Sequence, residues 1–203
     1  MFPFDVILFD VGGVLLTNGW DHDERARVVS HFGLDVAEFE ARHPVPYDAW
    51  ERDKTSIEDY LDATIFYQPR SFTHDDFYQV MLAQSKVLPD NGIGILQQLA
   101  ASHKCLVGAL NNESRETNEY RFEKFGLRNL FSVALSSCYL GLRKPAPGIY
   151  KLALDILGRP AERILFIDDR AENVAGAVSA GMKAVQFTGA DALQQELVNL
   201  GVI

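Results

Sequence analysis

Residues 9–16 read FDVGGVLL and follow the apolar run Val6, Ile7, Leu8. A run of branched and aromatic residues this short reads as a strand buried on both faces. It ends on a carboxylate, Asp10, and an ionised oxygen left unpaired in an apolar setting takes up a proton unless a partner holds it. Gly12 and Gly13 follow at once. Glycine allows backbone angles that other residues resist and leaves room for close approach of a ligand. The stretch therefore reads either as a plain strand-ending turn or as the floor of a site.

The remaining chain decides which architecture surrounds it. Further apolar runs lie at 105–110 (CLVGAL), 132–137 (SVALSS), 163–169 (RILFIDD) and 183–187 (KAVQF). Helical patterns at 114–126, 146–158 and 171–181 separate them, each closing on a glycine. Alternating strands and helices predict an α/β fold, a doubly wound parallel sheet with right-handed crossovers. From Cys105 onward, successive strands begin about 20 to 32 residues apart, as crossover units require. More than about 90 residues separate the first strand from the second, so that gap holds an insertion. Helical stretches at 21–32, 35–42, 56–66 and 73–86, before a core helix at 90–103, predict a small helical cap over residues 17–87. The core then comprises 1–16 and 88–203. Insertions at that end of a sheet commonly cover a site.

Composition narrows the partners. The chain has 203 residues, 47% of them hydrophobic, enough for a full core and a smaller second lobe. A net charge of -9 argues against broad electrostatic binding to nucleic acid or anionic membrane, so an anionic ligand would need local positive charge. Two cysteines, Cys105 and Cys138, make no disulfide framework and read as buried core residues. No signal-like segment opens the chain and no apolar run approaches membrane-spanning length, which together predict a reducing, cytoplasmic setting. Oligomeric state leaves no mark in the sequence.

In a doubly wound sheet the ligand crevice lies beyond the carboxyl ends of the strands, where strand order reverses. With order 3-2-1-4-5, the first strand delivers Asp10 there, the second Asn111 and Asn112, the third a loop with Arg143 and Lys144, and the fourth Asp168 and Asp169. Carboxylates that close require a cation. Magnesium fits, because it takes oxygen ligands, one or two of them carboxylates, and fills its shell with water and substrate phosphate. The Gly12 carbonyl is a further candidate ligand. Lys144 supplies positive charge, and Asn112, Gly13 and Arg143 are candidates to contact a substrate. Each residue also has a local reading: Asp168 and Asp169 as helix caps, Lys144 as a solvated lysine, Asn111 and Asn112 as turn formers. Their joint arrival at four strand ends favours a phosphate or metal site.

FDVGGVLL, LNNES, GLRKPAPGIY and FIDDRAENVAGAVSAGM, in that order, resemble the haloacid dehalogenase-like hydrolases, most of which are magnesium-dependent phosphatases. The resemblance implies that Asp10 is the nucleophile, that Lys144 steadies it and the phosphate, that Asp169 ligates magnesium directly, and that Asp168 supports it. It implies hydrolysis of a small phosphate ester, a sugar phosphate among the candidates, through an aspartyl-phosphate. Two departures stand out. The acid and base that the family's phosphatases carry two residues after the nucleophile is here Gly12, and Asn111 stands where they have serine or threonine, its amide still able to donate to phosphate. Without that acid, good leaving groups are expected to outrun simple alkyl phosphates. His22, Asp23 and Glu113 are candidates to fill the gap, and Trp20, His22, Arg25, Trp50 and Tyr67 to select the substrate. Two other functions compete: a metal-independent 2-haloacid dehalogenase, against which the acidic pair argues, and a catalytically idle phosphate-binding protein.

Overall fold

Strand β1 (Val6–Phe9) is buried along its whole length. Alternate side chains serve opposite faces. Ile7 and Phe9 enter one apolar cluster, Val6 and Leu8 another. The computed structural model, which describes residues 2–203, places β1 at the centre of a five-stranded sheet with β2 (Leu106–Ala109), β3 (Val133–Ala134), β4 (Ile164–Asp168) and β5 (Lys183–Gln186). The order is β3-β2-β1-β4-β5 and every pairing is parallel. Phe9 registers with Ala109 on one side and Ile167 on the other, so the chain leaves three strands at one level, with Asp10, Leu110 and Asp168 next in line.

Five helices lie between β1 and the rest of the core: α1 (His22–His31), α2 (Val36–Arg42), α3 (Pro44–Glu51), α4 (Ile57–Thr64) and α5 (His74–Leu82). They enclose a separate apolar cluster in which Trp50 stacks on Tyr60 with centroids 4.8 Å apart. Trp20 Nε1 donates to the Tyr60 hydroxyl at 2.6 Å, and that hydroxyl lies 2.9 Å from His43 Nδ1. Burial, with the charge of Arg25 adding, holds the His43 pKa down to about 4, which suits an imidazole that accepts from Tyr60. Capping boxes at Ser56/Asp59 and Thr73/Asp76 start α4 and α5. The two chain segments joining cap and core run side by side, with Thr17 N–H donating to the Lys86 carbonyl at 2.8 Å.

The core continues with α6 (Ile93–Ser102), α7 (Arg115–Lys124), the single turn α8 (Ser137–Leu140), α9 (Pro147–Leu157), α10 (Ala171–Ser179) and α11 (Ala190–Asn199). Helices α6, α7 and α11 cover one sheet face, α9 and α10 the other. No helix among the described residues is long and apolar enough to cross a membrane.

Several expectations need correction. Helix α3 has no counterpart in the sequence reading, because Pro44 and Pro46 look like breakers; in a first turn they give up only N–H groups that lack a helical partner anyway. Helix α11 was also unforeseen. The third strand stops at Ala134 rather than 137, since Ser136 and Ser137 turn inward and bond to neighbouring loops. Helix α5 ends at Leu82 rather than 86, freeing residues 83–88 to return to the core. Cys138 is buried, whereas Cys105, just ahead of β2, is only half-buried.

Candidate active site

Asp10 follows β1 into a loop that Gly13 turns with φ +74°. Its Oδ1 accepts the Val11 N–H at 2.8 Å and lies 3.0 Å from Lys144 Nζ. No described residue bonds Oδ2, and Asp10 lines an open cavity. Lys144 reaches from the loop ahead of α9 and is 4% exposed, so its charge needs company. Asp168 supplies it at 2.6 Å. Burial works against the ammonium, but attraction to Asp10 and Asp168 outweighs it and lifts the lysine pKa above its usual range.

Asp168 is itself fully committed. It accepts from Lys144, from Asn173 Nδ2 at 3.0 Å to each oxygen, and from Arg170 N–H at 2.8 Å. Asp169 is not: its Oδ1 is buried without a hydrogen-bond partner. Burial, with the Asp168 charge adding, raises the Asp169 pKa. Burial likewise pushes Asp10 up to about 7, despite the pull of Lys144. Asp10, Asp168 and Asp169 each offer an oxygen within 4.8 Å of the others. Three carboxylates against one lysine, an orphaned oxygen and the raised proton affinities of Asp10 and Asp169 suit a divalent cation. Gly13 keeps it open, since a Cβ there would lie 2.2 Å from Asp169 Oδ2. Gly12 lines the cavity beside Asp10.

Three further site candidates are held by partners within the protein. Asn111 is 2% exposed and turned away from the cavity, its amide donating to Asn118 Oδ1 at 2.9 Å and accepting from Ser136 Oγ at 2.8 Å. It braces the loop after β2 instead of presenting a donor to phosphate. Asn112 reaches the cavity wall but spends its amide on Lys144, accepting from its N–H and donating to its carbonyl, both at 2.9 Å. It positions the lysine. Arg143 lines the cavity, donates to Asp48 Oδ1 at 2.9 Å and pairs with Glu51, so it ties the core to α3.

The cap forms the opposite wall of a cavity of about 620 Å³. Trp20, His22 and Arg25 line it, while Trp50 lies in the cap core and Tyr67 packs under Arg42 away from the site. Of the candidates to replace the missing acid, His22 lines the cavity but is largely exposed, and Asp23 points to solvent. Glu113 is sealed beneath Gly19 in an ion pair with Arg121 at 2.5 Å. The unforeseen α3 adds Tyr47, Asp48 and Glu51 to the wall. Glu51 is 3% exposed, and burial pushes its pKa up to about 7 although Arg143 and Tyr47 pull the other way.

Comparison with known proteins gives this geometry a context. A family model described as haloacid dehalogenase-like hydrolase matches residues 4–181. Flavin mononucleotide hydrolase 1 of Arabidopsis thaliana is 28% identical over 198 residues, 97% of this chain and 78% of that protein. Pyrimidine 5'-nucleotidase YjjG of Escherichia coli is 28% identical over 111 residues, 54% of this chain and 48% of that one. Among solved structures, a HAD family enzyme of Bacteroides thetaiotaomicron in complex with magnesium superposes with a TM-score of 0.80 at 17% identity, covering 96% of this chain and 98% of that one. The same enzyme has been crystallised with magnesium and inorganic phosphate.

Proposed function

Because this chain belongs to the haloacid dehalogenase-like hydrolases, we propose that it is a magnesium-dependent phosphatase which cleaves a small phosphate ester through an aspartyl-phosphate on Asp10. The observation that carries the proposal is the convergence of Asp10, Lys144, Asp168 and Asp169 around one cavity, with an Asp169 oxygen left unbonded. The relatives named as a flavin mononucleotide hydrolase and a nucleotidase favour phosphate esters as the substrate class. A 2-haloacid dehalogenase would also attack through Asp10 but needs no metal, so the adjacent acids Asp168 and Asp169 argue against it.

The residues present divide the work. Lys144 and the Val11 N–H both hold Asp10 Oδ1, which fixes the carboxylate plane and leaves Oδ2 to attack phosphorus in line. Lys144 also places positive charge beside the incoming phosphoryl oxygens. Asp168, held by four hydrogen bonds, keeps the ammonium aimed at Asp10, while Asn112 fixes the backbone that carries it. Asp10, Asp169 and the Gly12 carbonyl would hold magnesium, with Asp168 bracing them; the ion would offset phosphate charge and lower the Asp10 pKa. Water then attacks the phosphorus of the acyl phosphate and restores Asp10.

The test is phosphate release across sugar, nucleotide and aryl phosphates, with and without magnesium, using Asp10→Asn as the blank. Magnesium-dependent release by the wild type alone supports the proposal. Release that persists in Asp10→Asn defeats the aspartyl-phosphate route, and release from no ester favours the idle binding protein.

A further inference from the structure

We propose that Glu51, set over the strand ends by the cap helix α3, is the general acid and base of this reaction, doing from the cap what a side chain at position 12 cannot. This rests on the phosphatase reading above. Glu51 lines the same cavity as Asp10 and is 3% exposed. Its Oε2 forms a charge pair with the Arg143 guanidinium, and the Tyr47 side chain lies beside the same carboxyl. A carboxyl that is buried and lines the cavity containing the nucleophile is placed to exchange a proton with a substrate bound there.

Its position is fixed from several sides. Ser137 Oγ donates to the Glu51 carbonyl at 2.7 Å, Arg143 holds Asp48, Arg115 holds Asp53 at 2.5 Å, and Trp50 Nε1 donates to Glu116 at 3.0 Å. These bonds clamp the end of α3 onto the core. The other carboxylates of the wall are less suited: Asp48 is shared between two arginines, Arg143 and Arg52, and is far more exposed than Glu51, Asp21 caps α1, and Glu172 is exposed. The charged and titratable groups facing Glu51 are Tyr47 and Asp48 on its own helix, Arg143 ahead of α9, Glu113 after β2 and Arg170 ahead of α10. Arg143 favours its ionised form, yet burial dominates and leaves the carboxyl half-protonated near pH 7, where an acid that must give and retake a proton works best.

The proton inventory closes. As Asp10 Oδ2 bonds to phosphorus and the ester P–O bond breaks, the Glu51 carboxyl passes its proton to the departing oxygen, which leaves as an alcohol. The resulting carboxylate then takes a proton from the water that attacks the phosphoryl-aspartate. The P–O bond to Asp10 breaks, and free phosphate leaves with Glu51 protonated again.

The experiment compares Glu51→Gln with wild type on an alkyl phosphate and on 4-nitrophenyl phosphate, at saturating magnesium from pH 5 to 9. Glu51→Gln is expected to lose about 10²- to 10⁴-fold in kcat on the alkyl ester, less than about tenfold on the aryl ester, and the fall in wild-type rate above pH about 7. Glu51→Asp keeps a charge for Arg143 and so guards against misfolding; with its carboxyl drawn back, it is expected to retain the pH limb while slowing kcat more than it alters KM. If both variants keep wild-type pH profiles and leaving-group selectivity, Glu51 only braces Arg143 and the assignment is wrong. If the wild type itself shows no Asp10-dependent release, the phosphatase reading fails first, a distinguishable result.

Discussion

Replacing Asp10 by asparagine is expected to stabilise the metal-free protein at alkaline pH while abolishing turnover. Burial raises the Asp10 pKa from 3.8 to about 7. A carboxyl raised on folding contributes stability that is fully present below pH 3.8 and is lost as pH climbs through about 7. The shift is roughly three pH units, and each unit is worth about 1.4 kcal/mol, so ionised Asp10 opposes folding by on the order of 4 kcal/mol at pH 8. Asparagine keeps the shape without the charge. Lys144 still has Asp168 at 2.6 Å, so no cation is stranded by the change. Glu51 also titrates near 7 and His43 near 4, but both are present in each protein and cancel in the difference. Urea unfolding in a chelator at pH 4 and pH 8 measures it: the variant should match wild type at the lower pH and exceed it by several kcal/mol at the higher. Added magnesium should narrow the gap by stabilising wild type more than the variant. A variant less stable than wild type at pH 8, or equal gains from magnesium in both, would refute the electrostatic account of the acidic trio.

Other substitutions probe the remaining parts of the site. Gly13→Ala puts a methyl group 2.2 Å from Asp169 Oδ2 at φ +74°, and a loss of about 2 kcal/mol or more in urea melts is expected, together with loss of magnesium response. Asp169→Asn should weaken magnesium activation at least about tenfold in a titration of rate against metal while leaving the fold intact. Asp168→Asn instead leaves Lys144 short of charge in a buried place, and calorimetry should show a loss of about 3 to 5 kcal/mol. Asn112→Ala removes two hydrogen bonds from the Lys144 backbone; about 1 to 2 kcal/mol of stability should go, with kcat falling more than KM changes.

Much of this arrangement could be read from residue order because the central strands are buried on both faces. Val6 to Phe9 and Ile164 to Ile167 show it as unbroken apolar runs, and parallel pairing then sends Asp10 and Asp168 to the same edge. The direction of a polar side chain was harder to read. Asn111 arrives at the expected strand end, but its amide answers to Asn118 in α7 and Ser136 after β3, partners that only packing brings together. Helix α3 was hidden by its prolines, although the four-residue interval from Tyr47 to Glu51 places both on one helical face once Pro44 is taken as a first-turn residue.

The turn at Gly12 explains why the proton donor should be sought so far along the chain. The glycine does not leave an empty socket. A Cβ at position 12 would sit 3.1 Å from Asn18 Oδ1 and 3.4 Å from its Cα, so the segment leading into the cap crowds the space a longer side chain would need. That segment is locked there: Gly19 rests on the Glu113–Arg121 pair, and Arg121 also donates to the Thr17 carbonyl. With no side chain at position 12 and Asn18 crowding it, a proton donor has to come from another part of the cavity wall. On that wall α3 presents Glu51, a buried carboxyl whose proton affinity lies in the working range.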